Sequence, residues 1–191
     1  MKKTIGLLLI WAGLLSCRHS EVPRPVGYFR IDFPEKKYRL CDSALPYRFE
    51  YPVYGVVLRD STREAEPYWI NIEYPAYKGK LHLSYKKVRG NLAEYIEDAR
   101  KLAYKHTIKA DAIDEIVVRN DSARVYGLIY DIKGNAASSL QFFLTDSVYH
   151  FLRGALYFSS QPNKDSLSPV VEFFRADVDR FIHSFRWKKI D

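Results

Sequence analysis

Two neighbouring stretches near the C-terminus, Leu140 to Thr145 and Val148 to Phe158, carry large apolar side chains on both of their alternating faces. This pattern narrows the possible folds more than any other feature of the chain. In the first stretch Leu140, Phe142 and Leu144 share one side and Phe143 takes the other; in the second, Leu152, Leu156 and Phe158 oppose Tyr149, Phe151 and Tyr157. Successive side chains of a strand point to opposite faces, so a sheet made of these strands must be covered on both sides. Two segments can supply the covers. Leu92, Tyr95, Ile96, Ala99, Leu102, Ala103 and His106 fall at the offsets of one helical face, behind Asn91 and Glu94, which approximate a capping box. Val170, Val171, Phe174, Val178, Phe181, Ile182 and Phe185 form a second stripe, behind Ser168 as cap and Pro169 at the first helical position. The expected class is α+β: an antiparallel sheet with helix 92–106 on one face and helix 169–184 on the other, an α/β/α sandwich.

The rest of the chain feeds that sheet. Ile113 to Phe158 reads as a four-stranded antiparallel meander, turned at Arg119–Ser122, Lys133–Asn135 and Thr145–Ser147, where residues tolerant of tight-turn dihedrals gather. Ahead of it, aromatic and β-branched runs at 29–33, 47–51, 56–59, 68–74 and 80–88 alternate with Pro and Gly breaks and read as strands. Asp60 to Pro67 is polar enough for an exposed loop. With 47% hydrophobic and 15% aromatic residues the chain is neither disordered nor fibrous. A body spanning 27–191 buries roughly 70% of its unfolded surface and needs no disulfide or metal to close.

The N-terminus sets the compartment. Lys2 and Lys3 precede an almost unbroken apolar run from Ile5 to Leu15, a length that suits a signal peptide and is too short to span a bilayer. The run ends Leu14-Leu15-Ser16-Cys17, which resembles the lipobox of bacterial lipoproteins, whose Cys is diacylated and becomes the mature N-terminus. Residues 1–16 are therefore read as signal peptide, and 17–26 as the lipidated Cys17 with a polar, Pro-containing tether. Acyl chains contribute about 0.8 kcal/mol per buried CH₂, so such a Cys anchors the domain without a spanning helix. With Glu21 the one acid behind Cys17, the periplasmic side of the envelope is favoured. Removing Lys2 and Lys3 leaves 28 basic against 23 acidic residues, +5 in place of +7. Once Cys17 is acylated, Cys41 has no partner within the chain and is read as a small buried apolar side chain.

Catalytic signatures are missing. No glycine frames GxSxG, GxxxxGK[ST] or GxGxxG, so the hydrolase elbow, P-loop and Rossmann readings lack their parts. The histidines, His19, His82, His106, His150 and His183, make no HxxxH or HExxH, and no metal or cofactor is expected. Basic groups at Lys36-Lys37-Arg39, Lys86-Lys87-Arg89 and Arg186-Lys188-Lys189 read as solvated faces or as contacts to anionic head groups or an acidic partner. Export removes nucleic acid as the expected partner. Two segments mix polar groups among apolar ones: His106, Lys109 and Asp111 at the exit of the first helix, and Asp131, Lys133 and Asn135 at a small-residue hairpin tip, open to close backbone approach. His150 and Arg153 are added as polar groups of the last meander strand.

The strings GYFRIDFPEKKY (27–38), LSYK (83–86), YKHTIKADAI (104–113), VYGLIYDIKGNAASSLQFFLTDS (125–147) and HFLRGALYFSSQPNKDSLSPV (150–170) closely resemble the gliding motility lipoprotein GldD family. The order of elements is similar to the Mog1/PsbP-like fold. What the family resemblance implies is a non-enzymatic, membrane-anchored envelope protein needed for gliding, working with other gliding proteins and the type IX secretion machinery, with no catalytic residues and no small-molecule substrate. The rival reading is an envelope enzyme or small-ligand-binding lipoprotein with its site near His150, Arg153 and the 131–139 tip. Cys17→Ala should release the protein from the membrane fraction, end palmitate labelling and abolish spreading over surfaces; normal spreading by the unlipidated form would defeat the anchor.

Overall fold

The computed structural model describes residues 31–159 and 164–189. The expected signal peptide 1–16, the expected lipidated Cys17 and tether to residue 26, and the first residues of the expected domain, 27–30, lie outside the described residues. In chain order the elements are β1 (Tyr38–Cys41), β2 (Tyr47–Pro52), β3 (Val56–Arg59), β4 (Ile70–Tyr74), β5 (Gly79–Lys87), α1 (Leu92–Tyr104), β6 (Ala110–Asn120), β7 (Val125–Gly134), β8 (Ser138–Thr145), β9 (His150–Phe158), α2 (Lys164–Ser184) and β10 (Arg186–Trp187). Seven strands form one antiparallel sheet in the order β3-β4-β5-β9-β8-β7-β6, and β1-β2-β10 form a small second sheet. The meander is as its turns foretold. It joins the earlier strands through β9, which pairs with β5 from Gly79↔Phe158 to Lys87↔His150.

Both faces of β8 and β9 carry packed apolar side chains. On one side Phe143 and Phe151 stack at 5.6 Å and pack with Val88, Tyr130 and Ile132 under Ala99 and Ala103 of α1, flanked by Leu92, Tyr95 and Ile96. On the other, Phe142 meets Phe181 of α2 at 5.7 Å, Phe181 meets Phe49 of β2 at 4.6 Å, and Tyr74 meets Phe174 at 4.3 Å. Fully burying a side chain of this size contributes about 1.5–3 kcal/mol, so α2 is held chiefly by its aromatic stripe, whereas α1 buries Ala99 and Ala103 and rests Leu92, Tyr95 and Ile96 half-buried on the sheet. The Phe142 ring lies directly over Gly154, its register partner; a Cβ there would stand 2.2 Å from Phe142 Cζ.

A buried carboxylate ties the start of the described chain to α2. Asp177, 2% exposed, accepts hydrogen bonds from Lys36 Nζ at 2.7 Å, Tyr38 Oη at 2.9 Å and Tyr54 Oη at 2.6 Å. Lys36 also donates to the Phe173 carbonyl at 2.8 Å and sits 3.2 Å from that ring's centroid. Burial lowers the Lys36 pKa, and Asp177 opposes the shift. Buried charge is costly unless paired and hydrogen-bonded, and here the carboxylate has three donors.

Four expectations change. The described part of the 29–33 run, Ile31–Phe33, is not a strand: Pro34 cannot donate to a ladder, and Phe33 instead stacks on Phe173 at 4.3 Å. The first strand, β1, follows it. Asn91 makes no side-chain cap; its Oδ1 turns back to accept the Arg89 N–H at 2.9 Å, as Asx turns do. α2 starts at Lys164, which puts Pro169 inside the helix rather than at its head; the residue is exposed, and the buried stripe from Val170 onward sets the helix. Cys41 is half-buried, with Sγ 3.7 Å from Ser43 Oγ, because it ends a short strand at the margin of the small sheet.

Gly154→Ala should lower stability by about 1–3 kcal/mol through overpacking, read as a fall in Tm of roughly 2–4 °C per kcal/mol. Phe142→Leu should restore part of that loss in the double variant, and additive effects of the two substitutions would contradict the contact.

Candidate functional site

The eight polar residues singled out from the sequence fall in three separate places. Lys109, Asp111, Asp131, Lys133 and Asn135 do come together, where the start of β6 meets the β7–β8 tip: Ala110 pairs with Gly134, Ala112 with Lys133 and Asp114 with Asp131. The cluster is closed by its own contacts. Lys133 pairs with Asp114, the buried Asp131 accepts from Arg175 Nη2 of α2 at 2.7 Å, and the Asn135 N–H donates to the Lys109 carbonyl at 3.1 Å. The close approach permitted by Gly134, at φ +105°, is taken up by β6 itself, since a Cβ there would lie 2.7 Å from the Asp111 nitrogen.

His150 and Arg153 lie on opposite faces of β9. They are three residues apart on a strand, so their side chains point in opposite directions. Arg153 shares the α1 face with Phe151, opposite Ser84 and Phe143. There α1 covers β8 and β9 and leaves β4 and β5 to polar groups: His82 Nδ1 donates to Asn71 Oδ1 at 2.7 Å and lies 3.4 Å from Asp60 Oδ2. Arg153 Nη2 donates to Gln141 Oε1 at 2.5 Å. Gln141 Nε2 and Arg153 Nε are both buried without a hydrogen-bond partner. His106, in the 3-10 turn Lys105–Ile108 after α1, joins this face. Burial lowers its pKa, and the Arg153 charge lowers it further. The row is rich in donors and suits a bound water or a small acceptor.

His150 faces the other way, into a groove of about 680 Å³ at one end of the main sheet. The end of β5 supplies Lys87, the β6–β7 turn Arg124, the β8–β9 turn Asp146 and Tyr149, and the segment from β10 onward Trp187, Lys188 and Lys189. The His150 ring stacks on Trp187 at 4.9 Å and 10°, and its Nδ1 shares a 2.8 Å hydrogen bond with the Tyr85 hydroxyl. Burial lowers the His150 pKa, against the pull of Asp146. Two of the three basic groups noted in the sequence thus converge, Lys87 from one and Lys188 and Lys189 from the other. Their meeting depends on β9 pairing with β5 and β10 with β2, which no local signal encodes. Arg124, Gln141, Tyr85 and Trp187 were not anticipated as site residues.

Among the described residues no helix is long and apolar enough to cross a membrane, and no group of three or more His, Cys, Asp or Glu could hold a metal ion.

His82, His106 and His150 all have pKa values below the ordinary 6.5, with burial the largest cause in each. Each takes up protons more readily unfolded than folded, so stability is complete above about pH 6.5 and falls as pH drops through that value toward the folded pKa values. A second loss follows below about pH 3.8, where Asp60 and Asp146, whose pKa values are lowered, become protonated. The urea midpoint should therefore be lower at pH 5.5 than at pH 7.5, and His150→Gln should flatten this difference. A midpoint that rises on acidification across that interval would contradict the burial of these rings.

Residues 18–187 match the family described as gliding motility lipoprotein GldD. No curated protein matches the chain. Among solved structures, cyanobacterial PsbP (CyanoP) from Synechocystis sp. PCC 6803 is similar, with a TM-score of 0.46 and 12% identity over 86% of this chain and 99% of that one. The matched span takes in every element from β1 to β10, and the chain belongs to the gliding motility lipoprotein GldD family.

Proposed function

We propose that this protein is a lipid-anchored accessory of the gliding apparatus that faces the periplasm and acts by docking to other gliding and type IX secretion components, with no catalytic step of its own. Membership of the family supplies the gliding role and the membrane anchoring. The observation that carries the docking reading is β6. It is 11 residues long, pairs on one side with β7 and forms an end of the main sheet. Ile116 is 47% and Val117 73% exposed, on opposite faces of the strand, and Ile108 just ahead of it is 91% exposed.

Long apolar edges invite a further strand, and proteins ordinarily blunt them with charge, Pro or a bulge. β6 has a register shift between Ala110 and Ala112, and the exposed Ile116 and Val117 lie between the charges of Asp114 and Glu115 on one side and Arg119 on the other. An extended segment of a partner could add there by backbone hydrogen bonds, with pockets for alternate side chains giving selectivity. The rival site uniting His150, Arg153 and the 131–139 tip loses support, since those residues occupy separate places.

A photo-crosslinking residue at position 117 of the lipidated protein in intact cells should capture a gliding or secretion component, identified by mass spectrometry. Ile116→Lys with Val117→Lys should remove that capture and surface spreading while leaving Tm within a few degrees. Crosslinks to lipid alone, or normal spreading by the double variant, would overturn the reading.

A further inference from the structure

The basic groove around His150 reaches the β6–β7 turn through Ala123 and Arg124 but is not lined by Ile116 or Val117, and docking at the β6 edge does not use it. Its volume of about 680 Å³ is within the range of small-molecule sites. Four cations line it, against one carboxylate, Asp146. That carboxylate is already engaged: its Oδ1 accepts the backbone N–H groups of Val148 at 3.0 Å, Tyr149 at 2.8 Å and His150 at 2.8 Å. Lys188 is paired with Asp42 at 2.5 Å, whereas Lys87, Arg124 and Lys189 form no ion pair with a described residue.

The aromatic wall adds an independent sign. Trp187 Nε1 is buried without a hydrogen-bond partner, and an indole N–H can only donate. The stack on His150 and the edge contact with Phe185 at 4.6 Å hold the indole in place. Among the described residues, then, the groove gathers cations without ion-pair partners beside an indole whose N–H lacks an acceptor. A phosphate meets such groups with several oxygens at once, through short charge-assisted hydrogen bonds. It fills a small part of the volume and leaves room for the molecule that carries it. We infer that the groove binds a phosphate-bearing group, with Arg124, Lys87 and Lys189 as its cations and Trp187 Nε1 as a neutral donor. The group comes either from a phospholipid head or from a soluble phosphorylated ligand.

The test uses the processed protein, residues 17–191 with Cys17→Ser, labelled with ¹⁵N so that the Trp187 and Trp69 indole signals can be followed separately. Inorganic phosphate, titrated against sodium chloride at equal ionic strength, should shift the Trp187 signal saturably and leave Trp69 in place. Lys87→Gln with Arg124→Gln should weaken that response at least tenfold without moving Trp69. Vesicles containing phosphatidylglycerol, compared with phosphatidylcholine alone, separate the sources. Binding that is lost in the double variant assigns the site to a lipid head group, and a phosphate response without vesicle binding assigns it to a soluble ligand. No Trp187 response to either probe, an equal response to chloride, or a response that survives in the double variant would overturn the inference.

Discussion

Phe142 and Phe143 are consecutive on β8 and point to opposite sides of the sheet, so this pair alone obliges the chain to provide two covers. The obligation passes to β9, where Phe151 continues the α1 face and Leu152 and Leu156 the other. Gly154 supplies the space into which the Phe142 ring settles. α1 and α2 come from distant parts of the sequence, and α2 is attached mainly through its aromatic stripe. Because β8 and β9 lie near the middle of the seven-strand order, the strands built before α1 and those built after it must share one continuous sheet.

The elements most legible in the sequence were those whose signals are local. The meander turns, the offsets of Leu92, Tyr95, Ile96, Ala99 and Ala103 and the strands near 47–51 and 56–59 all follow from periodicity and turn chemistry, whereas Leu102, expected on the same helical face, is exposed. Misreadings arose where a residue had a competing use. Asn91 turned toward Arg89, Phe33 became a plug against Phe173 rather than a strand residue, and the burial of the stripe behind Pro169 outweighed the helix bond that Pro cannot make. The opposite orientation of His150 and Arg153 could have been read from their odd spacing on a strand. The pairing of Arg153 with Gln141, by contrast, required the β8–β9 register.

Charge is distributed unevenly over the polar places. At the β7–β8 tip every cation that approaches Asp131 or Asp114 is matched, and the cluster works as a clasp between β6, β7 and α2. At the far end of the sheet, Lys87, Arg124 and Lys189 gather around a carboxylate committed to the backbone. The basic excess of the chain is therefore partly concentrated around one concave surface. Polar residues that looked equally promising in the sequence differ here by whether the fold has already satisfied them.

Lys36 stands ahead of β1 and is held by Asp177 and the Phe173 carbonyl in the middle of α2. Tension applied to the chain on the N-terminal side of Lys36 is therefore delivered first to α2, and through its aromatic stripe to the broad sheet, before it can peel β1 from β2. An ammonium ion held by a carboxylate, a carbonyl and a ring face must break several contacts together to let go. The domain is thus gripped mechanically at its longest helix rather than at the four-pair ladder between β1 and β2.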